Sequence, residues 1–242
     1  MKAREHWVAL YKNMQIYRAC AESQLDINTI VKSINITDSI VIPLSIENRE
    51  QVIRFLAFAL TSLSLKYSKL FVDMINLMYK YEFQKTSSVA SKIDFTNKEA
   101  KNNSTYKHLS RINLLEHTLR VIENTVLYVE KNKYPDHIKD VCILCALFHD
   151  FGKNKIIEDK YKMSTDDKHH HISAHFLKSK ISSYVNEKDN KEVQEIHNWI
   201  YKTIYEHHLP EKDANKSIFR ETLKYSDELA REQELDKLGV LV

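Results

Sequence analysis

The stretch Val141-Cys142-Ile143-Leu144-Cys145-Ala146-Leu147-Phe148-His149-Asp150-Phe151-Gly152-Lys153 decides how the chain reads. Its first eight residues are all apolar, so a helix from His137 to His149 has no polar face and must be covered on every side. A helix buried all round is the centre of a helical bundle. His149 lies four residues after Cys145 and seven after Cys142, on the same helical line, and Asp150 follows at the C-terminal end. An ionised carboxylate at the end of a buried helix needs a cationic or metal partner.

Working outward, periodicity of three and four predicts the helices that cover this one. The segment Asn113 to Lys131 carries the stripe Leu115, Leu119, Ile122, Val126 and Val129. Further helical patterns run from Ser173 to Tyr184, Asn190 to His208 and Ser217 to Lys237. Toward the N-terminus, Trp7, Leu10, Tyr11, Met14, Tyr17 and Ala21 predict an amphipathic helix from Lys2 to Glu22. Ile40 to Leu44 reads as a short extended piece with a proline in it, and Glu47 to Phe83 as two helices. Between Lys85 and Lys107 the composition shifts to Ser, Thr, Asn and Lys, the mark of a linker. The expected organisation is a helical N-terminal subdomain at 1–85, a polar linker at 86–107 and a larger helical domain at 108–242. The fold class is all-α.

Composition agrees with this. Gly152 and Gly239 are the two glycines in 242 residues, where average usage would give about 17. Dinucleotide-binding turns and phosphate-cradling loops need several glycines and cannot be written here. Few breakers also argue against a barrel or sandwich of tight turns. Three cysteines, Cys20, Cys142 and Cys145, are an odd number in a long chain, which favours a reducing compartment over a disulfide framework. Cys142 and Cys145 have redox or zinc spacing, but within a buried helix they read as core. The N-terminal residues lack the apolar segment of a signal peptide. The longest uncharged apolar run, Phe55 to Leu65, has 11 residues and is too short to cross a bilayer. A cytoplasmic protein without a membrane partner is expected. The net charge of +3 is too small to argue for nucleic-acid binding.

Histidine is the second anomaly. Ten of the 12 histidines fall between His117 and His208. One histidine on an apolar helix face is more often a hydrogen-bonded core residue than a ligand. Several converging with carboxylates from different helices of one bundle are the usual way a helical protein holds a divalent transition metal. Asp227 has Leu223 and Ala230 on its face, and His207 extends the line of Val193, Ile196, Ile200 and Thr203.

In order, the chain offers His117, then His149-Asp150-Phe151-Gly152-Lys153, then Asp227. The words around them are Asn113-Leu114-Leu115-Glu116-His117-Thr118-Leu119, Ala146-Leu147-Phe148 and Lys224-Tyr225-Ser226-Asp227. This pattern resembles the HD superfamily of metal-dependent phosphohydrolases, over residues His108 to Glu234. The resemblance implies an HD-type helical bundle in which His117, His149, Asp150 and Asp227 hold one ion. It also implies a second ion bridged by Asp150. For that ion His169-His170-His171-Ile172-Ser173-Ala174 selects His169, with His170 next, and Tyr205-Glu206-His207-His208 selects His207. His208 is expected to contact substrate. His108, His137, His175 and His197 are expected to lie outside the ligand set.

The implied activity is hydrolysis of a phosphoester of a nucleotide or related small molecule, through a metal-bound hydroxide. Asp150 serves as the catalytic carboxylate, and Lys153 reaches a phosphate oxygen. The cofactor is one or two divalent ions drawn from Fe, Mn, Co, Ni or Zn. Two alternatives stay open: an HD-type nuclease or relaxase-like protein acting on nucleic acid, and a non-catalytic nucleotide-sensing module. The segment Tyr106 to His117 lacks the first histidine and both glycines of the nuclease-like subset. Association into a homo-oligomer is also open. Finally, Gly152 is expected in a left-handed or otherwise strained conformation that turns the chain after the central helix.

Overall fold

The computed structural model describes residues 55–56, 58–89, 107–181, 183–184, 191–210 and 216–240. The expected helix from Lys2 to Glu22 and the extended piece at Ile40 lie outside the described residues, as does most of the polar stretch assigned to the linker. Among the described residues every regular element is helical, and the one strand-like contact is a single antiparallel bridge between Ser87 and Asn113. The all-α reading holds. No described helix is long and apolar enough to cross a membrane.

The described α-helices that build the core are, in order, α1 (Leu65–Lys80), α2 (Leu114–Lys131), α3 (Asp136–Phe148), α4 (Lys155–Tyr161), α5 (His169–Ile181), α6 (Lys191–Glu206) and α7 (Ile218–Lys237). Helix α3 is the central one: every residue from Val141 to Phe148 is at most 1% exposed, and it packs against α1, α2, α5, α6 and α7. Helix α2 starts where Asn113 accepts a hydrogen bond from the Glu116 backbone N–H, 2.8 Å away, satisfying one donor of the first turn. Ser217 does the same for the Arg220 backbone N–H and starts α7. Side chains of α1, among them Tyr67, Phe71 and Met78, enter the same hydrophobic core as α2 to α7.

Two elements depart from the expected boundaries. Helix α5 begins at His169, four residues before the expected start, because His169 and His170 turn inward and are buried in its first turn. Polar residues facing a polar interior look like loop to a hydrophobicity pattern. Helix α4 was not expected at all, since seven residues with only Ile156 and Ile157 as an apolar pair, Ile157 alone being buried, carry too little periodicity to read.

After α3 the chain turns through His149, Asp150 and a 3-10 turn at Phe151–Lys153 into α4. Phe151 anchors this turn, with its ring centroid 4.9 Å from Phe83, 5.2 Å from Phe148 and 5.2 Å from Phe176. The conformation expected of Gly152 is corrected here. Gly239 has a positive φ and Gly152 does not; Gly152 sits in the 3-10 turn. Glycine is required there by close approach. A Cβ at position 152 would lie 2.0 Å from the backbone carbonyl oxygen of His169 and 2.9 Å from Cβ of Ile172. The Gly152 N–H also donates to Oγ of Ser173 at 2.8 Å. The first turn of α5 thus rests directly on the turn that carries Asp150. Because the clash is with backbone, Gly152→Ala should cost at least about 2 kcal/mol of stability. Its urea midpoint should fall well below that of the wild type, and an unchanged midpoint would refute the close-approach argument.

One face of α2 carries a line of buried charges, Glu116, Arg120 and Glu123. Arg120 is 1% exposed, with Nη2 3.7 Å from Oε1 of Glu116, and Glu116 is joined in turn by Lys237 at 3.0 Å. Burial pushes the Glu123 carboxyl up to about 7, against the opposing pull of Arg120. A carboxyl with a folded pKa above its unfolded value binds its proton more tightly when folded. Its contribution to stability therefore falls as pH rises from about 4.5 to about 7, and the penalty is complete above that. Glu123→Gln should raise the urea midpoint at pH 8 and raise it less at pH 5. A difference that does not change with pH would contradict this.

Candidate metal centre

Five elements deliver the polar residues to one point inside the bundle. His117 stands in the first turn of α2; His149 and Asp150 end α3; His169 and His170 start α5; His207 and His208 follow the end of α6; Asp227 projects from the middle of α7. His117, His149 and Asp150 are at most 1% exposed. The Nε2 atom of His117 lies 3.1 Å from Oδ1 of Asp227 and 3.6 Å from Oδ2 of Asp150. Nε2 of His149 is 3.3 Å from the same Oδ2, and Nε2 of His169 is 3.4 Å from the other oxygen, Oδ1.

The donor atoms fall into two overlapping groups. His117, His149 and Asp150 form one, and Asp150, His169, His207 and His208 the other, each with its atoms within 4.8 Å of one another. Asp150 belongs to both. Asp227 adjoins the first through His117. The sequence separated His207 from His208 as ligand and substrate contact, and the structure brings both to the second group. His170 packs against it, with ring centroids 5.5 Å from His207 and 5.3 Å from His208.

Local helix geometry aims the rings. His149 and His207 each lie just past a helix end, where the last carbonyls have no intrahelical partner. Nδ1 of His149 folds back on the Ala146 carbonyl at 2.8 Å, and Nδ1 of His207 on the Ile204 carbonyl at 2.6 Å. Nδ1 of His117 meets Oε1 of Glu234 at 2.8 Å. Each acceptor calls for a proton on Nδ1, which turns the Nε2 lone pair toward the centre.

Whether these residues suit a metal is decided by what they leave unsatisfied. Nε2 of His117, His149 and His207 and Oδ1 of Asp150 and Asp227 are buried and make no hydrogen bond. Each such atom costs about 1–3 kcal/mol. Five of them pointing into one small space, as lone pairs and not as donors, have the composition of a mixed imidazole and carboxylate site for a divalent transition ion. The protonation states differ between the rings: at His117 burial and Arg231 are outweighed by Glu234 and Asp227, which raise its pKa, while two other rings are held neutral. Burial, then His149, pushes His207 down to about 3, and burial, then His207, pushes His170 down to about 2, so both rings are neutral. Burial opposes charge on Asp150, but Lys153 and His149 outweigh it and hold the carboxyl well below the usual range. At Asp227 burial is likewise outweighed, by His117 and Arg231.

Lys153 sits across the 3-10 turn from Asp150. Its ammonium donates to Oδ2 of Asp150 at 2.5 Å and to the Ser88 carbonyl at 2.9 Å. His171 and His175 face Asp167 at 3.7 and 4.0 Å, and His171 stacks on Tyr205. His197 lies near Tyr67, with centroids 6.1 Å apart, and His137 is exposed at the start of α3.

Sequence reading missed Glu234, Arg231 and Ser88. Glu234 is fully buried; burial opposes its charge, and His117, Arg231 and Arg120 together lower its pKa. A signal existed for two of them: Asp227, Arg231 and Glu234 are spaced four and seven apart and so share one face of α7. Ser88 has no such signal, since only the fold brings it near.

A family model described as HD domain matches residues 114–237, just over half of the chain. The chain belongs to the HD-domain family. No curated protein and no solved structure matches it. The HD superfamily is one of metal-dependent phosphohydrolases, and the His and Asp cluster described above fits a metal site. All the histidines and aspartates of that cluster fall inside the HD match; Ser88 and α1 fall outside it.

The shared position of Asp150 predicts two ions. Elemental analysis of HD protein purified without chelator should find about two divalent ions per chain, falling toward one in His169→Ala or His207→Ala. A wild-type value of one would mean that the second group does not bind.

Proposed function

We propose that the chain hydrolyses a phosphoester of a nucleotide or a related phosphorylated small molecule, in the cytoplasm, using divalent ions held by His117, His149, Asp150, His169, His207 and Asp227. The observation that supports this is the sharing of buried Asp150 between two groups of imidazole and carboxylate atoms that converge inside the bundle. Divalent ions there would supply positive charge for the phosphoryl oxygens and lower the pKa of an attacking water.

The chain's own residues have the remaining tasks. Asp150 is held ionised and oriented by Lys153, so both of its oxygens face the donor groups. Lys153 uses two of its three N–H donors, on Asp150 and Ser88, which leaves the third for a phosphate oxygen. His208 is exposed beside His169, at a ring centroid distance of 4.9 Å. It is placed to hydrogen-bond the part of a substrate that leads out of the bundle. The neighbouring His207 and His170 rings are held neutral by burial.

The test is Asp150→Ala, assayed with Mn(II) or Fe(II) against nucleotides, cyclic dinucleotides and oligonucleotides. The variant should stay folded by circular dichroism, lose bound metal, and lose activity by at least about a hundredfold. Full activity of a metal-free Asp150→Ala protein would overturn the proposal. Oligonucleotide cleavage in preference to mononucleotides would favour a nuclease, and nucleotide binding by wild type without turnover would favour a sensing module.

A further inference from the structure

Behind His117 lies a chain of hydrogen bonds that starts from two residues outside the candidate ligand set, Glu234 and Arg231, and Nε of Arg231 also lies 3.9 Å from Oδ1 of Asp227. Oε1 of Glu234 takes Nδ1 of His117 at 2.8 Å. Oε2 of Glu234 accepts from Nη1 of Arg231 at 2.9 Å. Arg231 is itself anchored: Nη1 donates to Oγ of Ser88 at 2.8 Å and Nη2 to the Ser88 carbonyl at 2.8 Å. That carbonyl also accepts from Lys153, whose ammonium holds Asp150. Ser88 is fully buried, and its N–H donates to the Ile112 carbonyl at 2.9 Å.

From this geometry we infer that Glu234 and Arg231 are positioning residues for the ligand His117, with Ser88 as the fixed point that ties them to Lys153 and Asp150. The inference rests on the metal-centre reading above. An imidazole can ligate through Nε2 only when its proton is on Nδ1, and a carboxylate, which can only accept, enforces that arrangement. The other two rings achieve the same with carbonyls of their own helices, at Ala146 and Ile204. His117 cannot. It lies in the first turn of α2, where the carbonyls behind it are engaged: Asn113 accepts from the His117 backbone N–H and Leu114 from Oγ1 of Thr118. Its acceptor has to come from another helix, and α7 supplies it two turns beyond Asp227. Glu234 in turn needs a counter-charge, since it is wholly buried, and Arg231 provides it one turn earlier on the same helix. A carboxylate that orients a histidine ligand supports affinity by about 10–100-fold.

Zinc affinity of the metal-depleted full chain, measured by chelator competition, tests this in wild type, Glu234→Ala and Glu234→Gln. Glu234→Ala should bind Zn(II) about 10–100-fold more weakly. Glu234→Gln, whose amide oxygen still accepts from Nδ1, should lose less. A purely structural role would not move the ring, so a second readout is the nitrogen-proton correlation of the imidazoles in the zinc form. The hydrogen-bonded Nδ1 proton of His117 should be present in wild type, shifted in Glu234→Gln and lost in Glu234→Ala. Wild-type zinc affinity in a folded Glu234→Ala protein overturns the inference. Should Glu234→Ala fail to fold, unchanged affinity and an unchanged Nδ1 resonance in Glu234→Gln overturn it equally. Absence of zinc binding by wild type would instead defeat the metal-centre reading on which the inference stands.

Discussion

A carboxylate that is 1% exposed at the end of the most buried helix is the constraint on which the rest depends. Without compensation Asp150 would be protonated or would destabilise the bundle, because burying an unpaired charge is far more costly than any single core contact can offset. The bundle answers with Lys153 on one oxygen and a ring of imidazoles around both. Much of the architecture serves that arrangement. Helix α3 must stop after Phe148, the chain must turn within three residues, and α5 must come close enough to present His169. Gly152 makes the last of these possible, because any side chain there would strike the α5 backbone.

The three histidines whose Nδ1 atoms are fixed illustrate two solutions to one problem. A ring just beyond a helix C-terminus finds an idle carbonyl three residues back and needs no further partner. A ring near a helix N-terminus finds none, and must borrow an acceptor from across the bundle. This difference explains why an acidic residue is buried against Nδ1 of His117 and none is needed at Nδ1 of His149 or His207. It also explains why α7 contributes both a candidate ligand, Asp227, and the acceptor, Glu234, on one face.

The helical class, the central position of α3 and the approximate spans of α2, α6 and α7 were legible because each rests on apolar periodicity, which a sequence displays directly. The candidate set His117, His149, Asp150, His169, His207 and Asp227 was read from a resemblance to the HD family in order and spacing, and the structure draws the six residues together. What was not legible depends on contact between distant segments. The closeness of Gly152 to His169 reflects helix packing, which no local pattern encodes, and led to a wrong expectation about its backbone. The start of α5 was hidden because its inward face is histidine. Ser88 contributes its carbonyl and its hydroxyl from a distant polar stretch, where no local pattern marks one serine among several.

Ser88 also bears on what counts as the working unit. It precedes the matched HD segment by 26 positions, within a region that pattern and composition would assign to connecting polypeptide. Yet one oxygen atom of its backbone receives both cations that steady the carboxylates of the centre. The segment recognisable by family is therefore smaller than the segment that is electrostatically complete. An excised 114–237 fragment would keep every candidate ligand while leaving Lys153 and Arg231 without their common acceptor, two cations facing an emptied corner of the interior. A portable form of this domain therefore extends beyond the boundaries of sequence similarity to include that carbonyl and the α1 side chains of the shared core.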